Sequence, residues 1–270
     1  EGNGDANLLH VDAGNDRVGI STASPSALLD VDGGDALIHG VTVGRGLGSV
    51  ATNTVVGNNA LDANTTGSNN TAIGDEALGA NTTATRCTAV GSDAALSNTT
   101  GSSTTAVGCF ALRTNTTGDY NVAMGEGALY SNSTGSNNTA VGYAALDNNT
   151  TASNNTAFGY RTLDANTTGT QNVAVGTNAL DANTTASNNV GIGVAALGAT
   201  TTGQRNVGVG TTALGGNTTG NDNTAVGKDA LLTSTTASHN VAVGKDAGRG
   251  TTTGQKNIVV GSEAFYTNTT

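Results

Sequence analysis

The 270-residue chain carries 40 Gly, one Pro, no Trp and only 3% aromatic residues, which argues against a large conventional core. Its formal charge of −10, with ten scattered Lys and Arg residues, repels nucleic acid and anionic membrane alike. No apolar run approaches the roughly 18 residues that a membrane-spanning helix needs.

Residues 1–52 contain the single proline, Pro25, and no repeat. The stretch NLLHVDAGNDRVGIST (7–22) reads as two alternating strands around a Gly-Asn-Asp turn. ALLDVDGGDALIHG (27–40) reads as a second strand pair around Asp-Gly-Gly-Asp, so the segment is expected to be a small β module leading into a longer repetitive region. The Gly-Asn-Asp triplets at Gly14 and Gly220 lack the periodic aspartates of calcium-binding repeats and are read as turn chemistry.

From Asn53 the sequence repeats every 17 residues without insertion, twelve times to Lys256 and then partially from Asn257 to Thr270. The consensus is N-[TV]-A-V-G-x-x-A-L-x-x-N-T-T-[GA]-x-x, with positions numbered 1 to 17. Position 5 is glycine in every copy: Gly57, Gly74, Gly91, Gly108, Gly125, Gly142, Gly159, Gly176, Gly193, Gly210, Gly227, Gly244 and Gly261. Such constancy points to a fixed backbone turn that only glycine takes easily. Positions 2 and 4 alternate with the small residue at position 3, the period-two pattern of a strand with one buried face. Further short stretches centre on Ala-Leu at positions 8 and 9 and on Asn-Thr-Thr at positions 12 to 14. Helix is disfavoured throughout by Gly, Asn and β-branched residues.

The fold class expected is therefore all-β: a parallel β-solenoid of 17-residue coils, residues 53–270, each coil made of three short extended segments separated by turns. Thirteen coils stacked at the strand spacing of about 4.8 Å would span roughly 60 Å. One coil cannot bury enough to order itself, so the array is cooperative and its ends need covering. Thr or Val at position 2 is an ambivalent filling for a dry core, and such a row could line an axis shared between identical chains.

Asn-x-Thr/Ser is also an acceptor pattern for N-glycosylation, which makes Asn64, Asn81, Asn98, Asn115, Asn132, Asn149, Asn166, Asn183, Asn217 and Asn268 candidate glycan sites. Against this stands a structural role, Asn in a tight turn and Thr in a ladder. A regular Thr array raises ice binding as an alternative, although adjacent residues of a strand face opposite sides. No catalytic constellation or metal-ligand spacing is found around His10, His39 or His239, the Gly-rich stretch 44–48 lacks the Lys-Ser of a phosphate loop, and no cofactor is implied. Cys87 and Cys109 fall at different repeat positions and are expected to be unpaired.

Two resemblances emerge from these residues. N-[TV]-A-[VI]-G, as in NVAVG (172–176) and NVGIG (189–193), resembles the head repeats of trimeric autotransporter adhesins, which implies a left-handed parallel β-roll of three chains around one axis. The opening LLHVDAGNDRVGISTASPSALLDVDG, followed by NTAVGxxAL repeats, resembles shaft regions of bacteriophage tail-fibre proteins. Both imply an extracellular structural fibre on a cell surface or virion, self-associating as a homotrimer or an end-to-end filament. Any receptor or glycan would then be engaged by regions outside this sequence. The chain stops part-way through a repeat, and no basic start precedes an apolar segment at Glu1, so the sequence is read as a piece of something longer.

Overall fold

The computed structural model describes residues 9–15, 17–20, 29–31, 36–38, 41–46, 48 and 50–267. Among them every regular element is a strand. The chain opens on β1 (His10–Asp12) and β2 (Arg17–Ile20), antiparallel with His10 opposite Gly19. This is the hairpin that the Gly-Asn-Asp turn predicts. The second predicted pair is not formed as expected. β3 (Leu29–Val31) lies parallel to β2, whereas β4 (Ala36–Ile38) pairs antiparallel with β5 (Val41–Gly44); the Asp-Gly-Gly-Asp stretch lies outside the described residues.

The solenoid begins with β6 (Thr54–Gly57) and continues from β7 (Thr71–Ile73) to β18 (Ile258–Val260), one short strand per coil at positions 2 to 4. These strands are parallel and pair residue for residue at an offset of 17, as in Thr139↔Thr156, Ala140↔Ala157 and Val141↔Phe158. With β4 and β5 they form one fifteen-stranded sheet. β5 runs antiparallel to β6 and covers the outer edge of the first coil, so that edge is paired.

The expectation of three extended segments per coil is corrected. Positions 8–9 and 12–14 are turns and bends: Leu146 at position 9 has φ +55°, and Ala144 at position 7 has φ +50°. These left-handed residues let 17 residues close a narrow coil, and their backbone groups still bond from coil to coil. Leu146 N–H donates to the Thr162 carbonyl at 3.0 Å, Thr150 N–H to Thr167 at 3.1 Å, and Gly142 N–H to Met124 at 2.8 Å.

The core is built from small side chains. In the sixth coil Ala140, Ala145 and Leu146 are fully buried, and the same three positions line the interior of most coils. Leucine of one coil reaches the inner face of the next strand: a methyl on Gly191 would lie 3.3 Å from Leu180 Cγ. Position 3 thus has room for little more than an alanine methyl. In one coil that lacks leucine, a valine takes up the volume. Gly248 replaces leucine in the twelfth coil, and the next strand carries Val259, whose Cγ2 lies 3.7 Å from where a Cβ on Gly248 would be. Size swaps of this kind keep interior volume constant.

Candidate functional site

The Asn-Thr-Thr motif divides into three roles. Asn64, Asn81, Asn98, Asn115, Asn132, Asn149, Asn166, Asn183 and Asn217 all point inward and are at most 1% exposed; Asn268 lies outside the described residues. Asn149 Nδ2 donates to Asn132 Oδ1 at 2.9 Å and to the Ala152 carbonyl at 3.0 Å, and Asn166 Nδ2 donates in turn to Asn149 Oδ1 at 2.9 Å. The result is an amide ladder running inside the stack. A glycan on any of these nine nitrogens and this coil are mutually exclusive, because the acceptor nitrogen is buried and engaged inside the coil. Threonine at position 13 uses its hydroxyl between coils, as Thr150 Oγ1 does in donating to the Thr167 carbonyl at 3.1 Å. Threonine at position 14, such as Thr151, is exposed.

A second interior ladder lies outside the sugar-acceptor motif. Position 1 is Asn in eleven of thirteen copies. Asn155 N–H donates to Asn138 Oδ1 at 3.0 Å, while Asn155 Nδ2 donates across the coil to the Gly169 carbonyl at 2.8 Å. The frequency of Asn at this position, rather than any catalytic or sugar-acceptor pattern, is the sequence signal that points to it. The exceptions are Cys87 and Thr104. Cys87 is buried with Sγ 3.3 Å from the Gly101 carbonyl, Cys109 sits part-exposed in the fourth coil, and both are free thiols.

The thirteen position-5 glycines all adopt φ between +123° and +157°. A Cβ on Gly142 would stand 2.3 Å from the Gly159 carbonyl oxygen, so the turn is required by close approach as well as by conformation.

Charged groups sit on the edges. Asp147, Asp164 and Asp181 stack at position 10 in three successive coils, and Arg161 pairs with Asp164 at 2.5 Å. Burial raises the carboxyl of Asp147 above the usual carboxylate range, with repulsion from Asp164 adding to it; burial likewise raises that of Asp181. A raised folded-state value means that the penalty is absent below the ordinary carboxyl range, grows as pH climbs from the ordinary value to the raised one, and is fully present above it. Asp147→Asn is therefore expected to raise the melting midpoint at neutral pH and leave it unchanged in acid, a comparison made by thermal denaturation at the two pH values.

Among the described residues, the outward face of the long sheet carries a row of exposed apolar side chains. Because position 3 points inward, positions 2 and 4 point outward. Position 4 is apolar in every copy, and Ile73, Met124, Phe158, Ile192, Val226 and Val243 stand among the exposed large hydrophobic residues, Phe158 at 54%. Beside it position 2 alternates Thr with Val or Ile. Thirteen rungs at about 4.8 Å, across the roughly 7 Å between alternate residues of a strand, make a strip on the order of 400 Å². No family model, curated protein or solved structure matches this chain.

Proposed function

We propose that this chain is a rigid segment of an extracellular fibre, whose copies pack side by side through the position 2 and position 4 columns as a homotrimer. The observation that carries this is the unbroken apolar column at position 4 on the sheet face, flanked by Thr, Val or Ile at position 2. A strip of about 400 Å² falls in the range of about 300 to 600 Å² of the largest apolar patch on a typical monomer, a patch that is often functional. A partner that covers every rung must itself repeat at the strand spacing, and a second copy of this chain meets that condition. Three chains follow from the resemblance to autotransporter heads, and the fibre role from both resemblances. Ice binding draws less support, since position 13 hydroxyls are spent between coils, which leaves the exposed position 14 threonines as a single column, and Phe158 and Met124 interrupt any flat plane on the sheet face.

Light scattering of the purified chain tests the assembly. The native protein should scatter as three chains, and Val141→Lys combined with Val175→Lys should lower the mass roughly threefold with an unchanged circular dichroism spectrum. A native chain that scatters as one copy overturns the proposal. A lysine variant that remains trimeric moves the interface elsewhere.

A further inference from the structure

The interior amide ladder is unbroken from Asn64 to Asn183 and then fails. Position 12 becomes Thr200, Ser234 and Thr251 in the ninth, eleventh and twelfth coils, all fully buried. Asn183 Oδ1, Asn217 Oδ1, Ser234 Oγ and Thr251 Oγ1 are left buried without a hydrogen-bond partner. Three of these four belong to consecutive coils, from the tenth to the twelfth.

The intact ladder shows what is missing. In Asn149 a single nitrogen donates both to the preceding amide oxygen and to the position 15 carbonyl of its own coil. Serine has no atom at that place, and its side chain has two fewer heavy atoms than asparagine's. At Ser234 the corresponding acceptors are Asn217 Oδ1 and the Ala237 carbonyl, which already takes one bond from Asn223 Nδ2 at 2.8 Å. A carbonyl oxygen has a second lone pair to offer. We propose that Ser234 marks an internal water-binding site, in which one water molecule occupies the place of the absent amide nitrogen. It donates to Asn217 Oδ1 and to the Ala237 carbonyl, and accepts from the Ser234 hydroxyl. Three polar partners lie within the two to four that a buried water makes. Water exchanges where a side-chain amide cannot, so coils ten to twelve open more readily than coils two to eight.

A high-resolution crystal structure of the native chain and hydrogen exchange on the S234N variant test this together. The native map should hold one peak at hydrogen-bond distance from Asn217 Oδ1 and the Ala237 carbonyl. In S234N the new amide should displace that peak and slow backbone exchange in coils ten to twelve by up to about tenfold, the worth of one net hydrogen bond. A native map without density there overturns the proposal, as does a peak at the short distances of a metal cation. Faster exchange in S234N than in the native chain also counts against it. Should S234N fail to fold, the native map still decides.

Discussion

Gly142→Ala is expected to destabilise the sixth and seventh coils by about 2 to 6 kcal/mol, combining backbone strain with overpacking. Gly142 holds φ +130°, a region that L side chains rarely enter, and the added methyl would press on the next coil's carbonyl oxygen at 2.3 Å. Relief would require the coils to separate, which breaks the 2.8 Å bond from Gly159 N–H to the Val141 carbonyl. Because each coil is stabilised mainly by its neighbours, the damage should spread along the stack. Gly127 is the control. It has φ +66° and nothing within 4 Å of where its Cβ would be, and other coils place Asn, Asp or Glu at the same turn, such as Asn178 with φ +54°. Gly127→Asn should shift stability by no more than about 0.5 kcal/mol. Denaturant melts of the two variants beside the native chain check both expectations; equal, small losses would mean that position 5 glycine is not required by the turn.

That contrast shows why some of the architecture could be read from the residues and some could not. The period and the position-5 turn were legible because every coil repeats the same demanding backbone, and nothing but glycine satisfies it. Alternation at positions 2 to 4 announced a strand but not which side faces in. Hydrophobicity alone favours burying Val141, yet the interior is already occupied by the Leu146 column, so Ala140 turns inward and valine is left outside. The Ala-Leu and Asn-Thr-Thr stretches looked extended because the Gly, Asn and β-branched residues around them disfavour a helix. Left-handed φ at Leu146 is a property of coil closure, which a non-glycine residue does not advertise. In residues 1–52, a local turn signal located the first hairpin correctly. It could not tell that β3 joins β2 while β4 turns back on β5, since a turn signal between β3 and β4 does not decide which of the neighbouring strands each one pairs with.

Asparagine inside a coil is the least intuitive of these placements, and it leads to the second large effect. The carbonyl at position 15 faces the interior, away from bulk water, and a buried acceptor must find a donor. Asn149→Ala removes the donor to Asn132 Oδ1, one of two donors to the Ala152 carbonyl, and the acceptor for Asn166 Nδ2. Asn138 Nδ2 still reaches Ala152 at 2.9 Å, but Asn132 Oδ1 is orphaned. The expected loss is about 2 to 5 kcal/mol, from one buried acceptor left unpaired, one of the two bonds of Asn166 Nδ2 lost while that to the Gly169 carbonyl stays, and the cavity around them. Thr151→Ala destroys the same sugar-acceptor triplet from its exposed end and should cost within about 0.5 kcal/mol. Thermal or denaturant melts of the two variants, with intact-mass measurement of the native chain, separate the possibilities. A native mass matching the bare 26.3 kDa polypeptide, with only Asn149→Ala strongly destabilised, fits an interior ladder. Equal effects from both substitutions, with mass lost in each, would place the asparagine outside and carry sugar on it.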